Sequence, residues 1–188
     1  MDEPAPPSPF EGRLIRLRAR EPRDADQLHR WFNDPEVTRY LSLRYPVSHR
    51  TEEEFLAAHS RPAYANASFA IEALLDSQLI GGADLRTSSP EDRCGELGIA
   101  IGDRTRWHGG YGTDAVATLC RFGFEMMNLH RIELWVFAEN ERAIRLYERL
   151  GFQREGTRRQ AAWKFGRWHD LHLMALLEGE LREPPPGA

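Results

Sequence analysis

Ten residues constrain this chain more than any other stretch: Arg106-Trp107-His108-Gly109-Gly110-Tyr111-Gly112-Thr113-Asp114-Ala115. Upstream, Cys94 to Gly102 has the apolar, β-branched character of a strand. Downstream, Thr113 to Met127 places Val116, Leu119, Cys120, Gly123 and Met127 on one face of a helix. The three glycines between them let the backbone adopt angles that a Cβ forbids and come close to a ligand. The first N–H groups of the helix then point at whatever occupies the loop, an arrangement that favours phosphate. Arg104 and Arg106 stand just upstream, where they could add charge-assisted contacts. On these residues alone, an ordinary tight strand–helix turn explains the glycines equally well.

The rest of the chain alternates between the two periods. Leu14 to Arg18 alternates as a strand. Asp24 starts a helical stretch through Leu28, Trp31 and Phe32 that stops at Asn33-Asp34-Pro35. Thr51-Glu52-Glu53-Glu54 is a capping-box pattern that predicts a second helix start, and Val37 to Pro46 between them reads as irregular. Ser68 to Leu75, Gln78 to Arg86 and Cys94 to Gly102 read as strands split by turn residues. His130 to Ala138 is a further strand, followed by a helix from Asn140 to Leu150 with Asn as its N-cap and Gly151 as its stop. Strands around Phe152 to Trp163 and His169 to Leu177 close the pattern. Interleaved strands and helices predict an α/β (α+β) class with one mixed sheet.

Length and charge remove several functions. A chain of 188 residues suits one domain. It carries 29 acidic against 25 basic side chains, a net charge of −4, which argues against a nucleic-acid partner. Cys94 and Cys120 sit in apolar segments without paired spacing, as small core residues of a reducing compartment do. The opening MDEPAPPSPF lacks the basic and apolar regions of a secretory signal, and no apolar run approaches membrane-span length. A cytoplasmic protein without membrane contact is expected. Prolines crowd both ends, so residues 1–9 and 181–188 are expected to be disordered tails around a domain spanning 10–180. The seven histidines show no metal-ligand spacing, so no metal is expected. A P-loop would need a Lys that the glycine turn lacks, and a Rossmann turn would open its domain rather than follow four strands. No Gly-x-Ser-x-Gly elbow supplies a hydrolase nucleophile.

A second motif settles the direction. Asn140-Glu141-Arg142-Ala143-Ile144-Arg145-Leu146-Tyr147-Glu148-Arg149-Leu150-Gly151-Phe152 sets Asn140 and Tyr147 seven residues apart, nearly two turns, on one helical face. With the glycine turn, this pattern resembles the GNAT superfamily of acetyl-CoA-dependent N-acetyltransferases. Within it, the chain is most similar to ribosomal-protein N-terminal acetyltransferases of the RimJ/RimL type and to bacterial spermidine acetyltransferases. The resemblance rests also on the opening strand, Asp24-Ala25-Asp26, Pro35-Glu36-Val37-Thr38-Arg39-Tyr40-Leu41, Leu129-His130-Arg131-Ile132-Glu133-Leu134 and Gly166-Arg167-Trp168-His169-Asp170. One departure stands out: Trp107 occupies a usual Gln/Arg position and His108 a frequent glycine position. Either His108 takes a glycine-like angle, or Gly109 supplies it.

The resemblance implies a splayed, mostly antiparallel seven-stranded sheet flanked by about four helices, with acetyl-CoA held at the splay. It implies binding of the co-substrate by Ile99, Ala100 and Ile101 of one strand, with the Ile99 N–H facing the thioester carbonyl. Arg106, Trp107, His108, Gly109, Gly110, Tyr111, Gly112 and Thr113 of the turn, with Asn140 and Arg142, complete that set. Gly98 suits a bulge or a close backbone approach. Tyr147 is the implied acid for the leaving thiolate, against a reading as plain core. Glu96, fourteen residues before Gly110, is the implied base, against a reading as a salt-bridged strand residue. The acceptor is a primary amine, and the family position favours a protein N-terminus. Arg39, Tyr40, Arg44, Tyr45 and the stretch Trp163 to Trp168 are expected to frame its entrance. Alternatives are a polyamine or aminoglycoside-type amine, another acyl donor such as succinyl-CoA, or a non-catalytic acyl-CoA-binding module. The resemblance suggests a homodimer, and the sequence leaves the oligomeric state open.

Overall fold

Among the described residues, seven β-strands and five α-helices follow the alternation of periods. In the computed structural model, residues 8–59 and 63–183 are described. The strands are β1 (Ile15–Arg18), β2 (Asn66–Ala73), β3 (Leu79–Ser89), β4 (Cys94–Ile101), β5 (Arg131–Phe137), β6 (Gln153–Lys164) and β7 (Arg167–Leu177). The helices are α1 (Ala25–Phe32), α2 (Pro35–Thr38), α3 (His49–Ala58), α4 (Tyr111–Glu125) and α5 (Glu141–Arg149). The strands form one sheet in the order β1-β2-β3-β4-β5-β7-β6.

Every neighbouring pair is antiparallel except β4 and β5. A parallel pair cannot be joined by a hairpin, and α4 is the crossover that joins this one. The α4 residues Ala115 to Cys120 are all buried in the core with Ile80, Leu85, Leu129 and Ile132. The β4–β5 pairing is short: Cys94 with Arg131, Gly95 with Ile132 and Glu96 with Glu133. Beyond Glu96, β4 stays on β3 as far as Ile101 opposite Gly81, while β5 stays on β7 as far as Phe137 opposite Leu171. The sheet therefore opens into a V along residues 97–101 and 134–137.

Asp114 holds α4 in place. Its carboxylate accepts the backbone N–H groups of Arg13 (3.1 Å), Leu14 (2.7 Å) and Ile15 (3.1 Å) at the entry to β1. A carboxylate in the first turn also complements the helix dipole. Gly12 is required beside it, because a Cβ there would lie 2.3 Å from Asp114 Oδ2.

Four sequence expectations need correction. The α3 helix begins at His49, not at Thr51, because Ser48 is the N-cap and its Oγ accepts the Thr51 N–H at 3.0 Å. The segment read as irregular contains part of α2, where Asp34 caps and Pro35 presets the first turn. The last two strands form a tighter hairpin than expected, with β7 starting at Arg167. Finally, the chain does not leave the body at residue 180. Leu181 packs on the core, Arg182 N–H donates to Leu150 C=O at 3.0 Å, and Glu183 meets Arg121 at 2.9 Å. The remaining tail expectation falls on residues 1–7 and 184–188, outside the described residues.

Asp114→Ala leaves three backbone donors without their acceptor, and the buried one, Ile15 N–H, costs about 1–3 kcal/mol when unsatisfied. Thermal or urea unfolding is expected to show a loss of about 2 kcal/mol or more, with Asp114→Asn losing less.

Candidate active site

The open edge of β4 has a definite polarity. Gly102 N–H donates to Ile80 C=O on the β3 side, and a Cβ at Gly81 would meet Ala100 O at 2.2 Å, so the Ala100 carbonyl also faces β3. The Ile101 carbonyl points the other way, where Trp107 Nε1 donates to it at 2.8 Å. Backbone groups alternate sides along a strand, so the N–H and C=O of Ile99 face the V. Gly98 does not form a bulge: the β3–β4 register runs unbroken from Gly81–Ile101 to Thr87–Gly95, and its only shift lies at Thr87/Ser89. The role of Gly98 is space, because a Cβ there would point into an open cavity.

That cavity measures about 580 Å³ and gathers Glu96, Ile99, Ala100, Ile101, Trp107, Gly112, Asn140, Arg142 and Tyr147. A second cavity of about 640 Å³ gathers Arg106, His108, Gly110, Tyr111 and Thr113. The two share Ile101, Trp107, Gly112, Arg142 and Leu146, so they form one bent channel. Of the residues expected to hold the co-substrate, only Gly109 lines neither part. Its N–H turns back to the Arg106 carbonyl at 3.4 Å.

The turn resolves the question raised by His108. Gly109 is not in the left-handed region; His108 itself is, at φ +66°, and Gly110 follows at +83° as the N-cap of α4. A left-handed angle is uncommon for a residue with a side chain and stores strain of roughly 1 kcal/mol, which is tolerated where function demands it. The first intrahelical bond runs from Asp114 N–H to Gly110 C=O. The N–H groups of Tyr111, Gly112 and Thr113 therefore have no acceptor within the helix and open onto the channel. Arg106 is less available than expected. Its guanidinium donates to Tyr111 Oη at 3.1 Å and pairs with Asp76 and Asp103, which braces the loop from beneath. Trp107 lies between two guanidinium groups, with Arg142 Cζ 5.0 Å and Arg104 Cζ 5.8 Å from its ring centre.

The helix α5 supplies the other wall. Asn140 caps it, its Oδ1 accepting the Ala143 N–H at 3.3 Å. Tyr147 is buried, with its ring 5.5 Å from Phe152. Among the described residues nothing hydrogen-bonds its hydroxyl, and burial, with Cys120 adjoining, pushes the phenol well above its ordinary range. The group stays protonated across the physiological range and can donate. Glu96, across the V, is bonded to Arg86 Nη2 at 2.9 Å with its side chain 35% exposed. It is thus both salt-bridged and open to the cavity.

The expected entrance is partly assembled. Arg39 and Tyr40 line the 580 Å³ cavity. Arg44, Trp163 and Lys164 line an adjoining cleft of about 110 Å³ that shares Tyr40, Leu41, Ser42, Trp135 and Leu171 with it. Tyr45 and Trp168 line neither. Lys164 acts as a brace, its ammonium donating to the carbonyls of Thr38 (2.6 Å) and Leu41 (2.8 Å), and burial lowers its pKa. Sequence reasoning missed Arg145, Leu146, Arg149 and Arg182 in the channel. The three arginines of α5, at positions 142, 145 and 149, form a legible i, i+3, i+7 stripe; Arg182 arrives only through the folded tail.

Residues 14–153 match the acetyltransferase (GNAT) domain family. The chain belongs to this family. It is similar to the uncharacterized N-acetyltransferase p20 of Bacillus licheniformis, at 34% identity over 169 residues, 88% of this chain and 94% of that protein. It is 30% identical to the putative ribosomal N-acetyltransferase YdaF of Bacillus subtilis, over 88% of this chain and 92% of that one. Among solved structures it resembles the spermidine N-acetyltransferase of Vibrio cholerae in complex with CoA and spermine, with a TM-score of 0.82 at 28% identity, covering 89% of this chain and 97% of that one. The protein is an N-acetyltransferase that uses acetyl-CoA. The residues present fit that co-substrate: helix amides face the channel where phosphates need donors, and an unpaired strand edge lines the part where an amide-bearing chain can pair.

Ligand at 100 times its dissociation constant adds about 2.7 kcal/mol of stability. Acetyl-CoA is expected to raise the melting temperature of the protein, and Gly110→Val, which places a β-branched residue at φ +83°, is expected to abolish the rise while circular dichroism stays native.

Proposed function

We propose that the acceptor is a primary amine carrying negative charge close by, as at a peptide or protein N-terminus followed by acidic residues. The supporting observation is a set of guanidinium groups without counter-charge. Among the described residues, no carboxylate lies within ion-pair distance of Arg39, Arg44 or Arg158. Arg39 lies over the ring of Tyr40 and Arg158 over that of Trp135, at 5.6 and 5.1 Å, which orients both groups at the acceptor side of the cavity. A polycation would meet these groups against the one unpaired carboxylate of Glu36. A ribosomal N-acetyltransferase name among the relatives agrees with a protein acceptor.

A polyamine acceptor is the second reading. It is favoured by the likeness to a spermidine acetyltransferase and by Glu36 and Glu96, which also line the cavity. Glu96 is shared with Arg86, however, which leaves Glu36 as the carboxylate without a described ion pair.

The proposed division of labour follows from position. Acetyl-CoA supplies an activated thioester. The Ile99 N–H, facing the V, stabilises negative charge that develops on the carbonyl oxygen. Glu96 takes the proton shed by the amine, directly or through water. Tyr147 donates a hydrogen bond to the departing sulfur. A thiolate with a pKa near 8.5 is a weaker base than a buried phenolate, so Tyr147 acts as a donor to the thiolate more than as a source of a transferred proton. We place the protein in the reducing cytoplasm, where the buried thiols of Cys94 and Cys120 stay free.

Release of free CoA, measured against an amine panel, is expected to be faster with peptides of the form amine–acidic–acidic than with spermidine. Arg158→Gln is expected to narrow that preference by raising the KM for the acidic peptide. A preference for spermidine overturns the acceptor assignment.

Tyr147→Phe removes one oxygen and keeps the ring against Phe152. Turnover is expected to fall about tenfold to a hundredfold, near the low end of general-acid effects, with acetyl-CoA affinity almost unchanged. Unaltered turnover under rate-limiting chemistry would reduce Tyr147 to a core residue.

A further inference from the structure

We propose that Arg149 and Arg182, with Arg145 beside them, bind the 3′-phosphate of coenzyme A, so that this protein distinguishes its co-substrate from the 3′-dephospho form. The inference concerns the co-substrate and stands independently of the acceptor assignment.

The channel has two unlike ends. One lies in the V, beside Ile99 and Tyr147, where the thioester belongs. Midway, the amides of Tyr111, Gly112 and Thr113 offer donors for a pyrophosphate. The far end lies beyond the shared residues Arg142 and Leu146, and Arg149 and Arg182 line only this part. Two faces of α5 separate the parts: Ala143 and Tyr147 turn to the V, while Arg145 and Arg149, three and seven residues after Arg142, stand on the face that lines the far part. A ligand that threads the channel with its thioester at the V therefore delivers its nucleotide sugar, and the phosphate on it, to the far end.

That phosphate is a monoester, with a charge between about −1.5 and −2 at neutral pH. It needs cations of its own, because the helix amides are already taken by the pyrophosphate. The far end supplies them. Arg149 and Arg182 are exposed, and neither forms an ion pair with a described carboxylate. Arg145 is held by Glu141 at 2.9 Å and keeps its remaining donors. Arg145 and Arg149 stand at i, i+4, where like charges repel in the absence of an anion. The chain as a whole is acidic, at −4, yet this cavity collects Arg106, Arg142, Arg145, Arg149 and Arg182 against Glu148 alone.

The tail that carries Arg182 is fixed against α5 by close packing. Arg182 N–H donates to Leu150 C=O at 3.0 Å. Gly151, at φ +103°, leaves just enough room for the tail, since a Cβ there would lie 2.4 Å from the Glu180 carbonyl. Arg182 is thus brought to the end of α5 by the backbone, and among the described residues no carboxylate pairs with its side chain.

Calorimetric titration of the whole protein with CoA and with 3′-dephospho-CoA, without acceptor, tests the assignment. The wild type is expected to bind CoA at least tenfold more tightly. Arg149→Gln with Arg182→Gln is expected to reduce that ratio below about threefold, through weaker binding of CoA and unchanged binding of the dephospho form. Both side chains are exposed, so folding is not at stake, and circular dichroism verifies it. Equal affinity of the wild type for the two forms overturns the proposal. So does a variant that loses the same factor for both, which would show a general electrostatic field rather than a phosphate site.

Discussion

The short parallel contact between β4 and β5 is the constraint on which the rest of the site depends. Three residue pairs join the strands, after which each follows its outer antiparallel neighbour. Two strand edges then face one another across a gap with their hydrogen-bonding groups unpaired, a costly state for buried backbone. An extended ligand that pairs with such an edge completes the sheet. The same contact fixes the helices. A parallel pair needs a crossover, so α4 must start at the mouth of the V, and Asp114 locks its first turn to β1. The free amides at the start of α4 and the open strand edge are therefore consequences of one topological choice.

Charge divides the channel by task. Several guanidinium groups without a described ion pair line the channel and the cleft beside it: Arg149 and Arg182 at one end, Arg39, Arg44 and Arg158 at the other. The arginines with structural duties are paired. Arg106 braces the glycine turn through Asp76, Asp103 and Tyr111, and Arg86 holds Glu96. Lys164 donates to the carbonyls of Thr38 and Leu41, which fixes the segment bearing Arg39 and Tyr40 over the cavity. His108 carries strain that a glycine would avoid. Its exposed side chain lines the larger part of the channel, the kind of place where strain is retained.

Much of the architecture was legible because periodicity is a local property. Strand alternation, the apolar face of α4, the Asn140 cap and the Gly151 stop each depend on residues within two turns of one another. Where local signals competed, sequence alone chose wrongly. Thr51 and Glu54 formed a plausible capping box, but Ser48 stands earlier and takes the Thr51 N–H, so the helix starts before the box. Gly98 suggested a bulge, yet an unbroken register to β3 leaves it as empty space beside the cavity.

By itself the sequence determined the class of fold, the glycine turn ahead of α4 and the helix that carries Asn140 and Tyr147, because each is written in adjacent residues. Tertiary structure alone decided which backbone edge is open, since that depends on the partner of each strand and not on its own residues. It decided that Arg106 serves the loop, because Asp76 lies thirty residues away in the chain. It also brought Arg182 to the end of α5 through a tail contact that no periodicity announces. Local patterning specifies elements through short-range sterics and burial. The charges that meet across a cavity are set by how those elements pack.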